Sequence, residues 1–461
     1  MTTLARKLRV VDYFTLGWGT MVGVGWLVVM DDWLGRGGSL GAILGFAIGG
    51  VLLLPVAWVY GRLISAMPDA SAEVAYTARV FPRAVSFATG WMMVLAYFIV
   101  CPWEAVAIGK IAAYVFPALN SFEAYRIAGD PVYLPRLAIG LMLTGFLTAM
   151  NYQGVRFSAT FQNWTTFGSL ALFVIFVAFG AAKGAPRNFP PLFTHGSFVS
   201  VLLVLQIVPY FMTGFEAVGK GSEEAGPQFQ EKSFFLAMWM AILAGLIFYT
   251  VIIAAVAYAA PWKELTNLKF MTAVAFERAT GSRWVVNIIL LAAILSLVKC
   301  FNANLVASSR LLFGMGRRGL VDSYLGSVHP RNQTPSVSVV WIGIATIFCM
   351  FLGDAILVPV TEVGSVAAAA GWLAACAAFY RIAQTAKEKL AAVFGVTIGL
   401  LMVLMKVVPS IPGSFSRYEW LALGIWILCG MAMGRHGLQQ NGSMAGGQTF
   451  NTRRSGQQEK P

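Results

Sequence analysis

The stretch Gly17-Trp18-Gly19-Thr20-Met21-Val22-Gly23-Val24-Gly25-Trp26 sits in the middle of the first apolar tract, and its reading decides the fold. The tract, 11–33, is long enough to cross a bilayer, which takes about 20 mostly apolar residues. Yet it places four glycines, Gly17, Gly19, Gly23 and Gly25, where an ordinary anchor would carry bulky side chains. Glycine weakens a helix, so this segment is expected to open near mid-membrane. Exposed backbone polar groups are costly in hydrocarbon, so such an opening must be buried in protein or line a watery cavity.

The rest of the chain fits a membrane setting. Of 461 residues, 58% are hydrophobic and 11% are charged, and the mean hydropathy is +0.71. Apolar tracts between charged or Pro/Gly-rich breaks give twelve expected spans: 11–33, 39–60, 84–116, 135–151, 160–182, 197–219, 234–260, 284–312, 335–353, 357–380, 390–408 and 418–434. They are too long and too uniformly apolar for barrel strands, which leaves an all-α membrane protein. The short connections leave no room for a separate soluble domain, so 1–434 reads as one transmembrane unit. The tail 435–461 is rich in Gly, Gln, Asn and Ser and is expected to be cytoplasmic and disordered.

A net charge of +13 would point to nucleic acid in a soluble protein. Here the basic residues sit mainly at the ends of apolar tracts, which makes them topology signals, and no nucleic-acid partner is expected. With the N-terminus inside, Arg6, Lys7, Arg9, Arg62, Arg79, Arg83, Arg317, Arg318, Lys387 and Lys389 all fall on the cytoplasmic side. The positive-inside rule therefore places both termini in the cytoplasm of an inner-membrane protein. Asp31, Asp32 and Trp33 follow Met30 in place of a small-residue cleavage site, so the first tract reads as a retained helix and not a signal peptide. The five cysteines stand singly in apolar tracts, and no cofactor or metal is expected. Three histidines, His195, His329 and His436, make no ligand or triad spacing, which argues against a membrane-embedded enzyme.

The sixth tract repeats the anomaly of the first. Pro209 and Gly214 flank Tyr210, Phe211, Met212 and Thr213, and proline removes a backbone donor. Two breaks five spans apart, in halves of opposite orientation, are the pattern of an inverted-repeat transporter.

Four motifs in order resemble the amino acid, polyamine and organocation transporter superfamily. Gly19 to Trp26 is similar to its first-helix GxG motif, and Phe211-Met212-Thr213-Gly214-Phe215-Glu216, with Glu223-Glu224 and Pro227, to its sixth-helix motif. Met67 to Tyr76, with Arg79 and Phe81-Pro82, resembles the loop after the second helix; Ser309-Arg310-Leu311-Leu312-Phe313 with Arg318-Gly319-Leu320 resembles the end of the eighth. The resemblance implies a LeuT-type fold of five plus five inverted helices with two appended: repeat one over 11–182, repeat two over 197–380, extra helices over 390–434. It also implies alternating-access transport of a small amino acid, with a polyamine or amino alcohol as the alternative, coupled to protons or a counter-substrate.

Site residues follow from the same resemblance. Amides near Gly23, Val24, Gly25 and Trp26 are expected to hold a substrate carboxylate at a helix N-terminus. Carbonyls of Val22 and of Tyr210 to Thr213 are expected to accept from the ammonium, with Thr20 adding a side-chain contact. Cys101, Glu104, Gly214 and Asn304 complete the expected binding set, and Glu216 is expected to act in gating or coupling. Charged groups at mid-span cost about 2.5–3.5 kcal/mol on insertion scales and so need a partner or a role. Glu104 could pair with a cationic substrate group, or with Lys110 or Lys299. Lys110 is expected to reach toward the outer end of its helix.

Several positions depart from the family pattern. Ser71 and Ala72 replace loop glycines, Arg62 stands at an acidic position, and Ser169 occupies the fifth-helix place of a lysine found in many proton-coupled members. Lys299, in the eighth helix, is expected near the level of the family's cation site, where its ammonium would replace sodium; a structural pair with Glu104 or Glu216 is the alternative.

Overall fold

The computed structural model describes residues 4–226, 231–266, 268 and 270–435. Pro227 and the tail beyond Arg435 lie outside the described residues, and so does the expectation of a disordered tail.

The first apolar tract does not form one helix. It divides into α1 (Val10–Met21), α2 (Gly25–Val28) and the start of α3 (Met30–Leu52). Within α3 the backbone turns at Gly38, φ +70°, where a Cβ would stand 2.6 Å from the Leu192 carbonyl oxygen. Only glycine takes that conformation without strain in so tight a place. Residues beyond Gly38 continue through α4 (Leu54–Ala66), and the amphipathic stretch that follows supplies only the short α5 (Glu73–Ala78). The third tract is α6 (Arg83–Phe98) plus α7 (Val100–Val115), followed by α8 (Leu134–Gln153) and α9 (Val155–Lys183).

The sixth tract is also in pieces: α10 (Ser197–Leu205), α11 (Val208–Met212) and α12 (Ala217–Lys220). The long α13 (Glu231–Ala259), the outer-loop helix α14 (Met271–Thr280), α15 (Arg283–Arg317), α16 (Ser336–Met350), α17 (Leu357–Ile382) and α18 (Ala386–Val407) follow. A last helix, α19, covers 417–435. Eight continuous helical runs among the described residues are long and apolar enough to cross a membrane. They coincide with the second, third, fourth, fifth, seventh, eighth, tenth and eleventh expected tracts.

The all-α expectation needs one correction. A hairpin pairs β1 (Glu123–Ile127) with β2 (Asp130–Tyr133) through Ala128 and Gly129, both at positive φ. Tyr125 donates its hydroxyl to the Phe351 carbonyl at 2.6 Å, fastening the hairpin to the end of α16. Its strands of four and five residues leave no mark in a search for tracts of membrane length.

Packing sets the two broken segments at the centre. α1 lies against α9, α13 and α15, and α11 lies against α17 and α3. Aromatic rings lock this arrangement: Trp33 meets Phe46 at 4.9 Å and Phe211 at 4.8 Å, and Phe46 stacks on Tyr249 at 4.8 Å. Aromatic pairs of this kind add about 0.5–1.5 kcal/mol beyond area burial. They tie α3, α11 and α13 together beside the breaks.

Candidate functional site

Between α1 and α2 the backbone leaves the helix at Val22 to Val24, so the amides that start α2 have no preceding turn to bond. Among the described residues, the amides of Gly23, Gly25 and Trp26 meet no acceptor. Across the site, α11 ends at Met212 and the chain passes through Thr213 to Phe215 before α12. The carbonyls of Tyr210, Phe211, Met212 and Thr213 accept no hydrogen bond among the described residues. Gly214, at φ +141°, packs so tightly on α1 that a Cβ would stand 2.8 Å from Met21 N and from Thr20 Cβ. A Cβ on Gly25 would lie 2.6 Å from the Phe211 ring. Two broken helices thus face each other, one offering amides and the other carbonyls, with these residues buried except for the half-buried Gly23.

Three of the groups expected to face a ligand are already engaged by the protein. The Val24 amide donates to Glu104 Oε1 at 3.2 Å. The Val22 carbonyl accepts from Lys299 Nζ, and also from Ser296 Oγ at 3.1 Å. The Thr20 hydroxyl turns back to the Leu16 carbonyl at 2.5 Å, while the Thr20 carbonyl accepts from Asn304 Nδ2 at 3.1 Å and Cys300 Sγ at 3.3 Å. Thr213 donates its hydroxyl to the Pro209 carbonyl at 2.6 Å. Cys101 is buried, its Sγ 3.9 Å from the Tyr97 carbonyl. Trp26 stacks on Phe176 at 5.3 Å, and its carbonyl accepts from Thr272 at 2.6 Å.

The mid-span charges resolve differently from the ion pairs weighed on sequence grounds. Among the described residues neither Glu104 nor Lys299 joins an ion pair, and Glu104 Oε2 is buried without a partner. Lys299 is fully buried, with its ammonium 4.3 Å from the centroid of the Trp18 ring as well as on the Val22 carbonyl. A cation over an indole face gains electrostatically, about 2 kcal/mol when desolvated. Lys110 turns outward to Asp354 at 3.7 Å. Glu216 accepts from the Gly214 amide at 3.1 Å through Oε2 and leaves Oε1 buried and unpartnered. Ser169 is buried on α9 and donates to its own helix, at Thr166 O, 2.9 Å away.

Several charged contacts around the site escaped the sequence reading. Lys220 Nζ lies 2.5 Å from Glu73 Oε1, joining α12 to α5 in full burial. Arg310 binds Glu224 with two bonds of 3.0 and 3.2 Å, both side chains fully buried. Nearby, Glu223 pairs with Arg317 and caps the Ala70 amide at 2.9 Å, and Asp69 meets Arg318 at 2.6 Å. Burial opposes ionisation of Asp69, but the bonds from Ser71 and the charge of Arg318 hold its carboxyl below the ordinary value. At the other end Arg36 joins Asp32 at 2.8 Å and Glu362 at 2.9 Å, and Lys406 joins Glu362. The Arg310–Glu224 pair joins α15 to the segment after α12, and Arg36, Glu362 and Lys406 join α3, α17 and α18. Their signal in the sequence was the set of charges in and beside the broken spans, each of which needs a partner of opposite sign.

The chain is 28% identical over 346 residues to the methylthioribose transporter of Bacillus subtilis, covering 72% of each chain. To the branched-chain amino acid permease BcaP of the same organism it is 24% identical over 352 residues, 74% of this chain and 73% of the relative. The amino-acid permease RocE, also from Bacillus subtilis, is 20% identical over 392 residues, 80% of this chain and 79% of the relative. The model of the amino acid permease family matches residues 8–432. With two broken central helices, membrane-length runs around them and a family match across nearly the whole chain, this multi-pass membrane protein is a member of the amino acid permease family, a transporter and not an enzyme.

Proposed function

We propose that the chain is a secondary active transporter of the inner membrane, carrying a small amino acid or a related amine by alternating access without sodium. Twelve spans arranged as a LeuT-type pair of five-helix repeats plus two appended helices fit the placement of the two broken segments. Both termini then lie in the cytoplasm. The observation that carries the reading is the pairing of free amides at Gly23, Gly25 and Trp26 with free carbonyls at Tyr210 to Thr213. Such a site grips a solute that both accepts and donates hydrogen bonds, and an amino compound does both. The names of the relatives point to amino acids and, in one case, to methylthioribose. Burial of the site, with charged contacts on either side, supports an occluded state between two openings.

Sodium independence rests on Lys299. Its ammonium sits on the Val22 carbonyl, the oxygen that an unwound first helix would otherwise present to a bound cation. Ser296 donates to the Val22 and Gly23 carbonyls at 3.1 and 2.8 Å, filling the same corner. A tethered cation there does the work of a dissociable one and leaves protons or a counter-substrate to drive transport. Lys299→Ala is expected to keep exchange of internal for external substrate and to lose accumulation driven by a pH gradient, both measured by radiolabelled uptake in proteoliposomes. Sodium-dependent uptake by the wild type, or unchanged proton-driven accumulation in the variant, contradicts this assignment.

A further inference from the structure

Two tryptophans fix the register of α6 against α19. Trp91 and Trp426 stack with ring centroids 4.4 Å apart, and each indole donates to the other's carbonyl, Trp91 Nε1 at 2.9 Å and Trp426 Nε1 at 3.1 Å. A Cβ on Gly430 would stand 2.4 Å from Trp91 Nε1 and one on Gly434 3.1 Å from the Phe87 ring, so the two helices run in opposite directions. From the tryptophans α6 reaches back to Arg83, and α19 runs on to Arg435. At about 1.5 Å per residue those distances are about 12 and 13.5 Å, which brings both arginines to one level. The whole of α19 is about 28 Å long, close to the roughly 30 Å hydrocarbon core, so that level is an edge of the bilayer.

Between the two helix ends lies a cavity of about 420 Å³, walled by Ala84, Phe87, Leu320 and Met431 and bordered by Arg83 and Arg435. It is far larger than one or two ordered waters need, and its walls offer them no polar partners. Leu421, Ile425, Leu428 and Met431 are exposed along one stripe of α19, the face left to acyl chains, and Arg435 continues that stripe at helical spacing. Arg83 is held at the rim by its bond to the Gly319 carbonyl. The carboxylates of Asp69 and Glu223 are taken by Arg318 and Arg317, and among the described residues neither Arg83 nor Arg435 pairs with a carboxylate.

We propose that this groove is a binding site for an anionic phospholipid. The phosphodiester sits between the two guanidiniums, which match phosphate oxygens in bidentate fashion, and one acyl chain lies along Phe87 and Met431. The residues beyond Arg435 are the wrong occupant, because Arg453, Arg454 and Lys460 outnumber Glu459 and would repel the rim. On the orientation proposed above, the groove opens to the cytoplasmic leaflet. A bound lipid bridges α19 to α6, whose other neighbours include α15 and α17.

The test titrates delipidated full-length protein in detergent with phosphatidylglycerol and with phosphatidylcholine, reading binding by native mass spectrometry. Phosphatidylglycerol is expected to bind about tenfold or more tightly, at about fivefold for each arginine near the membrane surface. Arg435→Gln is expected to lower its affinity about fivefold and to spare phosphatidylcholine, while Arg417→Gln, at the opposite end of α19, changes neither. Ala84→Trp, which fills the groove and removes no charge, is expected to weaken phosphatidylglycerol binding as well. Equal affinity for the two lipids overturns the proposal, and so does an equal loss in Arg417→Gln and Arg435→Gln. Glycerol phosphate binding as tightly as the lipid would assign the rim to a free anion, and pairing of two copies abolished by Ala84→Trp would assign the groove to a second copy; either overturns it. The wild-type comparison stands even where a variant does not fold. Lipid preference without transport leaves the proposal in place and counts against the carrier reading alone.

Discussion

Gly25→Leu is expected to reach the membrane in ordinary amounts and to bind no substrate. The first side-chain carbon would lie 2.6 Å from Phe211, and the rest of the leucine would extend into the space between the α2 amides and the α11 carbonyls. Overpacking of this kind costs about 1–3 kcal/mol, which a chain with so large a core tolerates. Binding has no such reserve, because the side chain takes the volume of the ligand. Ligand-induced thermal stabilisation of purified wild type and variant measures the difference. Wild-type affinity in the variant would reduce the break to a packing feature.

The buried pair Arg310–Glu224 gives the second large effect. Removing one partner leaves an uncompensated charge out of reach of water, a loss of about 3–5 kcal/mol. Arg310→Ala should therefore lower the melting temperature in detergent sharply. Replacing both members by methionine should recover most of the loss, since an apolar pair of similar volume is often neutral. A wild-type melt for Arg310→Ala would mean that Glu224 finds another partner. These residues join α15 to the segment after α12, so the double variant is also expected to leave the closed side less tightly held.

Much of the fold was legible because the bilayer imposes a simple length rule. Apolar tracts of about membrane length announced the continuous spans, and glycines and a proline announced the two breaks. The hairpin at Glu123–Tyr133 was not legible, since two strands of five and four residues carry no membrane-length signal. In the site, Gly23, Gly25 and Gly214 were marked by the motifs themselves, and Glu104 and Lys299 by their places on the third and eighth helices of the resembled family. Their partners did not. Whether Val22 O faces solute or Lys299, and whether Val24 N–H faces solute or Glu104, depends on how α15 and α7 are rotated against α1. A single sequence holds no record of that rotation. The buried pairs Lys220–Glu73 and Arg310–Glu224 were hidden for the same reason, because each joins residues more than 80 positions apart.

The central claim is that these two broken helices form a carrier site that works without sodium. Its most direct test is counterflow in sodium-free proteoliposomes loaded with each candidate amine or amino acid, with labelled solute outside. The account predicts saturable entry that is accelerated by internal unlabelled substrate, is unchanged when sodium is added and is absent in Gly25→Leu. Entry that needs sodium, or that is not accelerated by internal substrate, would contradict it.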